Sequence, residues 1–319
     1  MTARPLLGAS SCLLGDPVRY NAGHSRCRFL TDELDRYVDW VRVCPEIEIG
    51  LGAPRPTIRL RTDGHLVGKE GTPDHTAAMH ALADERLPGL ADLDGYVLKS
   101  RSPSCALHGV PRYASGDDGE RTDGQPVDRR GRGLFASRLT EEFPLLPVEE
   151  DGRLNDSGLR EHFVERIFAG ARLREFLDSD WKPGDLVAFH SRHKLQILAH
   201  DPVRYRESGR IVAQAGVRPH ADLAADYRAV FLAAFATRAG RGRNVNALHH
   251  VLGPMSDRLN GSRRHGIVEA IEDYRQGRAP LSVPIALLRH NAEGEDHAYL
   301  ADQTFLEPFP ADLPLRHHL

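Results

Sequence analysis

No stretch of the 319-residue chain approaches the roughly 18 uncharged apolar residues of a membrane-spanning helix. The opening residues, Met1 to Gly8, include Arg4 and Pro5 where a secretory signal needs an apolar core, so a cytoplasmic protein is expected. Neither an internal repeat with a period of about 20–50 residues nor a low-complexity tract is visible, which excludes solenoids and propellers. Charge of one sign is not in excess either. The formal net charge is −3, so composition alone indicates no nucleic-acid partner. With 40% hydrophobic and 27% charged residues, the chain is an ordinary globular one, long enough for two hydrophobic cores.

Cysteine is scarce and unevenly placed. Cys12, Cys27, Cys44 and Cys105 are the only four, and all lie in the first third of the chain. In a reducing compartment disulfides are disfavoured, so metal binding or catalysis becomes the expectation for such thiols. The spacing includes no Cys-x-x-Cys pair and no His pair beside it, which excludes a zinc finger.

The first part of the chain reads as α/β. An apolar run at residues 5–9 ends in Ser10-Ser11-Cys12. A β-rich run at 38–43 ends in Cys44-Pro45-Glu46, and a third at 95–99 leads into Ser100–Cys105. Residues 29–37, 73–84 and 133–143 read as helices, so a mostly parallel sheet is expected. Ligands of such sheets bind beyond the carboxyl ends of the strands. Cys12, Cys44 and Cys105 can therefore converge, whereas Cys27 lies in a loop with no strand behind it. Residues 114–133 read as a mobile surface loop. A boundary near residue 150 divides the chain into domains 1–150 and 151–319.

The second domain reads as mostly α-helical, with helices expected near 157–170, 171–177, 186–199, 227–238, 247–252 and 267–276. Between Arg238 and His265 six arginines face a single acidic residue, Asp257. Arg241, Arg243, Arg263 and Arg264 in that run, with Arg192 and Lys194 upstream, are candidates for phosphate contact, and Tyr205 for stacking. His190 and His193 share a helix face. Without a third ligand nearby, that face is expected to be a polar or nucleic-acid-facing surface.

Three thiolates meeting at a crevice hold a metal and leave one coordination position open, the arrangement of a catalytic site. Soft thiolates suit both iron–sulfur clusters and zinc, and spacing does not separate the two. Three buried cysteines acting as small hydrophobes are the structural alternative. Glu46, two residues beyond Cys44, is placed to activate water or move a proton, while Glu48 reads as a plain surface residue. Ser102 and Ser104 sit in a polar segment where their hydroxyls can orient a substrate. Arg19 and Arg55 can hold a phosphate or a carbonyl, but as isolated arginines they read as surface residues.

Three motifs resemble those of the thiouracil desulfidase family, once known only as a domain of unknown function. They are Ser10–Gly15 followed by Val18-Arg19-Tyr20, then Val43–Leu51 with Pro54-Arg55-Pro56, then Lys99–Cys105. Ala106 stands where that family has glycine. The segment Leu186–Lys194 resembles the YbgA-type helical domain often fused to it, and the fused form is similar to bacterial tRNA 4-thiouridine desulfidases. The resemblance implies a [4Fe-4S] cluster held by Cys12, Cys44 and Cys105, with a fourth iron open to a thiocarbonyl sulfur. It implies Glu46 as the catalytic carboxylate and a catalytic serine in the third motif, Ser102 in preference to Ser104, with Cys27 dispensable. The implied activity is non-redox, hydrolytic desulfuration of 4-thiouridine in tRNA, with tRNA as partner through the helical domain. Two alternatives stand beside it: a desulfidase of free thiouracil or thionucleosides, and a zinc-stabilised RNA-binding or regulatory protein without turnover.

Overall fold

The computed structural model describes residues 3–115, 124–294, 298–313 and 315–316. The chain folds into two compact units, one spanning residues 4–159 and the other residues 160–319 together with Ala3. No helix among the described residues is long and apolar enough to cross a membrane.

The first unit is α/β. Its strands are β1 (Leu6–Ser10), β2 (Asp39–Val43), β3 (Ile58–Arg61), β4 (Leu66–Gly68), β5 (Gly95–Leu98), β6 (Val110–Tyr113), β7 (Asp128–Gly131) and β8 (Val148–Glu150). Its helices are α1 (Pro45–Glu48), α2 (Thr76–Arg86) and α3 (Leu134–Glu142). The main sheet has the order β2-β1-β5-β8, and every pair in it is parallel. The central strands β1 and β5 are almost wholly buried, as a parallel sheet covered on both faces requires. Gly8 is glycine because Tyr96 of β5 lies against its backbone, and a Cβ there would stand 2.2 Å from the ring. Met79, Ala83, Leu87, Phe135 and Leu139 join Val43, Tyr96 and Leu98 in one core.

A second sheet, β4-β3-β6-β7, was not expected from the sequence. Its strands read Ile-Arg-Leu-Arg, Leu-Val-Gly, Val-Pro-Arg-Tyr and Asp-Arg-Arg-Gly, too short and too charged to give an apolar signal. β7 falls within residues 114–133, so that segment is not all surface loop; residues 116–123 of it lie outside the described residues. Residues 29–37 form no regular α-helix but a π-type turn, Phe29–Leu34, followed by a 3-10 turn, Asp35–Tyr37.

The second unit is helical: α4 (Ser157–Leu177), α5 (Pro183–His200), α6 (Pro202–Val212), α7 (His220–Ala236), α8 (Arg241–Met255), α9 (Gly261–Arg275), α10 (Ser282–Gly294) and α11 (Ala298–Ala301). α4 is continuous where the sequence suggested two helices, since one glycine at 170 costs only about 1 kcal/mol within a long, packed helix. α5 and α6 meet at Asp201, whose side chain accepts from Val203 N and Arg204 N while Pro202 takes the first helical position. Among the described residues, one apolar cluster gathers around Leu248, Val251, Ile271 and Leu288 and another around Trp181, Phe189, Tyr227 and Phe231.

Candidate active site

Three neighbouring strand ends of the parallel sheet carry the three cysteines. β1 runs into a 3-10 turn, Ser11–Leu14, that holds Cys12 and closes on Gly15 at φ 97°. β2 ends one residue before Cys44, and Pro45 then starts α1. Glu48 is exposed, as expected of a surface residue; its Oε1 accepts the Cys44 N–H at 3.0 Å and it pairs with Arg86. After β5, the chain turns at Ser102, whose Oγ accepts from Ser104 N at 3.3 Å and Cys105 N at 3.2 Å. Gly133 backs this turn. A Cβ there would meet Ser104 O at 2.5 Å and Cys105 N at 2.7 Å.

The three motifs enclose a cavity of about 410 Å³, lined by Cys12, Cys44, Cys105, Glu46 and Ser102 among others. Glu46 is held on both oxygens. Arg55 donates Nε (3.1 Å) and Nη2 (2.6 Å) to Oε2. Ser102 Oγ donates to Oε1 at 3.2 Å, and Ser104 Oγ donates to the same oxygen at 2.5 Å. Arg55 is buried and also donates Nη1 to Val18 O (2.8 Å) and Gly52 O (2.6 Å), which corrects its reading as a surface arginine. Lys99 Nζ pairs with Asp151 at 2.7 Å, and Lys99 N donates to Ser10 Oγ at 3.0 Å, stitching two strand ends together.

Burial dominates the thiol chemistry. It raises the Cys12 thiol to about 11, helped by Cys44, and raises Cys44 against the lowering effect of the Ile47 N–H. Cys105, the deepest, is raised by burial and by Glu46. A bare thiolate is costly here, so deprotonation goes with a cationic ligand that takes the sulfur charge. The four cysteines form no disulfide, and Cys27 is absent from the described cavity lining.

The structure thus brings Cys12, Cys44, Cys105, Glu46, Ser102 and Arg19 around one cavity. In the helical unit Arg192, Arg241, Arg263 and Arg264 are exposed, while Lys194 and Arg243 are half-buried. Lys194 lies over the Tyr299 ring, Arg241 over the Tyr274 ring, and Arg243 donates to Ala199 O. Tyr205 packs against both apolar clusters, so it is not a free stacking platform. The His190/His193 expectation is overturned. Both are buried: His190 Nδ1 meets Tyr227 OH at 3.2 Å, and His193 takes Arg172 Nε at 3.1 Å. Their neighbours Phe189 and Leu195 already signalled an apolar helix. Sequence reasoning passed over Ser10, Lys99 and Asp151; the partners lie 52 and 89 residues apart, and only the fold joins them.

Thiols and a carboxylate at the carboxyl ends of parallel strands define an α/β protein with a soft-donor site. The family model for 2-thiouracil desulfurase matches residues 7–151, and that for the protein of unknown function DUF1722 matches residues 194–310. The uncharacterized protein YbgA of Escherichia coli (strain K12) is 30% identical over 153 residues, 48% of this chain and 90% of YbgA. A solved structure, the [4Fe-4S]-dependent thiouracil desulfidase TudS, is 25% identical, with a TM-score of 0.38 over 48% of this chain and 95% of its own. The chain belongs to the family of YbgA, and it joins a region matching the 2-thiouracil desulfurase model to one matching DUF1722.

Proposed function

We propose that the protein is a non-redox [4Fe-4S] desulfidase that converts 4-thiouridine in tRNA to uridine. The observation that carries this reading is the opening of Cys12, Cys44, Cys105 and Glu46 onto one cavity. The donor set fits the cluster. Cys12 and Cys105 are buried, Cys44 is half-buried, and none of the three is in a disulfide, so they offer it three soft donors. Cys12, Cys44 and Cys105 would hold the cluster, which would supply a Lewis acid toward a soft thiocarbonyl sulfur.

The chain's own residues do the rest. Arg55 clamps one oxygen of Glu46, leaving the other facing the Ser102 and Ser104 hydroxyls. From that position Glu46 takes a proton from the water that attacks C4 of the base, Ser102 at the cavity wall holds the water, and the buried Ser104 fixes the carboxylate oxygen. The water oxygen replaces sulfur on carbon, and the two water protons leave with the sulfide as hydrogen sulfide. No electrons are gained or lost. The choice of tRNA is supported by the exposed Arg192, Arg241, Arg263 and Arg264 of the helical unit, and it predicts binding that weakens steeply with salt.

The test is anaerobic. Cluster-loaded and apo protein are incubated with bulk bacterial tRNA, and the digested RNA is assayed for 4-thiouridine. Loss matched by uridine and sulfide, with the loaded protein only, is the expected result. Turnover of free thiobases but not of tRNA overturns the tRNA assignment. Turnover of neither by a cluster-loaded protein overturns the desulfidase reading.

A further inference from the structure

The helical unit holds a cavity of its own, of about 480 Å³, lined chiefly by residues of α4, α5 and the segment 302–310. That volume lies in the range of small-molecule pockets, roughly 300–1,000 Å³. Two residues of its lining carry a polar atom that is shut off from solvent and has no hydrogen-bond partner among the described residues: Nη2 of Arg172 and Oε1 of Gln303. One is a charged donor and the other a neutral acceptor. The other nitrogens of Arg172 meet only uncharged groups, since Nε donates to His193 Nε2 at 3.1 Å and Nη1 to Pro308 O at 2.8 Å. His193 gives its own hydrogen, on Nδ1, to Phe189 O at 2.8 Å, so the ring is neutral and cancels none of the guanidinium charge. Burial lowers Arg172 to about 10, even with Glu165 and Glu175 opposing that pull. Gln303 is 1% exposed, and its amide nitrogen is committed to Ser191 O (3.0 Å) and Tyr299 O (3.2 Å), which leaves Oε1 as the unused edge. Buried polar atoms left unmet destabilise a fold, so a ligand that meets both is favoured.

The mouth and the walls narrow the choice of ligand. Glu175, Asp302 and Glu307 are exposed and line the same cavity. Asp302 has Arg192 beside it and Glu307 has Arg289, so the mouth offers no surplus of positive charge to a phosphate or a nucleic-acid strand. The remaining wall is aromatic: Phe189 stacks on Phe176 with ring centroids 4.6 Å apart, and Phe309 joins them in the lining. We propose that this cavity binds an apolar α-amino acid, its carboxylate on Arg172 Nη2, its ammonium on Gln303 Oε1 and its side chain against the three phenylalanines. A plain carboxylate would satisfy Arg172 and leave Gln303 unmet, and a plain amine would do the reverse. An α-amino acid carries both groups on one carbon, and the carboxylates at the mouth favour its positive end. The site lies within the helical unit and stands independently of the desulfidase reading.

The experiment reads binding. Leucine and phenylalanine are titrated calorimetrically into the full-length, cluster-loaded protein. The tighter of the two is then compared with its deaminated, decarboxylated and 2-hydroxy analogues and with inorganic phosphate. Loss of either charged group is expected to weaken binding by at least about tenfold. Gln303→Met removes the acceptor while keeping the length of the side chain. It is expected to weaken the amino acid by about tenfold and to leave the deaminated analogue unchanged, whereas a merely structural role would weaken both alike. Arg172→Gln is expected to erase the preference for ligands that carry a carboxylate. Should that variant fail to fold, Gln303→Met and the analogue series on the parent decide the matter. Binding of neither amino acid, equal binding of the decarboxylated or the 2-hydroxy analogue, phosphate binding as tightly as the amino acid, or an equal effect of Gln303→Met on both ligands overturns the proposal.

Discussion

Both units gather ionisable side chains, and they use them in opposite ways. In the first unit Glu46, Lys99, Arg55 and the thiols open on a cavity, with at least one polar edge left for something that is not protein. In the second unit the groups meet each other in the core. Arg316 pairs with Glu165 at 3.0 Å and Glu161 at 3.2 Å, Gln196 donates to Glu165 at 2.9 Å, and His200 lies 3.3 Å from the same carboxylate. Burial alone would raise Glu165, but His200 and Arg316 outweigh it and hold the carboxyl well below the usual range. Burial pushes His190 down to about 4 and His193 down as well. Polar residues within apolar segments look alike in a sequence. What separates a site from a structural network is whether the last hydrogen-bonding edge faces a cavity or another side chain.

That contrast can be broken most sharply at Glu46. Glu46→Gln is expected to lower turnover by a factor on the order of 10²–10⁴ while the cluster absorbance stays as in the parent and the thermal midpoint falls only modestly, because the amide oxygen still accepts from Arg55. A fall in midpoint as large as that of Glu165→Ala would make Glu46 as structural as Glu165. Glu165→Ala should do the reverse. It removes one of the two carboxylates that face the buried Arg316 and takes the acceptor from Gln196, costing about 3–5 kcal/mol in denaturant unfolding. Stability within 1 kcal/mol of the parent would remove the network from the core's support.

Acid should act on the second unit in the same direction. His190 and His162 are neutral in the fold, each lowered by burial to about 4, but titrate near 6.5 when unfolded. Between those values the unfolded chain binds more protons, so stability falls as pH drops from 6.5 towards 4, by up to about 3 kcal/mol per histidine. His190→Gln should flatten the slope, read from urea midpoints across that range. A smaller effect is expected from Gly133→Ala. Its methyl presses on the Ser104–Cys105 backbone, costing about 1–3 kcal/mol and lowering cluster occupancy, measured as iron per chain. Least of all, Cys27→Ser should leave both iron content and turnover at parent levels, and a loss of iron would give Cys27 a place among the ligands.

Much of the site's plan was legible because it follows strand ends. Cys12, Cys44 and Cys105 each close an apolar run, and parallel sheets place such ends together. The α/β and helical halves were legible from their different periods. The second sheet was not, because its strands are short and half exposed and so carry arginine where a core strand carries valine. Arg55 was misread for a related reason: an arginine is buried only when a carboxylate meets it, and its partner Glu46 belongs to another motif. The histidines of α5 were misread because helical spacing states which residues share a face but not which face meets the core.

The Ser10–Lys99 hydrogen bond joins strand ends that are 89 positions apart in the chain. That distance is also a delay. On a ribosome adding about 5–20 residues per second, Cys12 emerges roughly 5–20 s before Cys105. Cys44 and β2 follow Cys12 first, so for most of that interval two of the three thiols are made while the third and its strand are not. The cavity exists only once β5 has entered between β1 and β8. A sulfur oxidised in those seconds would be lost as a donor before the cavity that needs it exists.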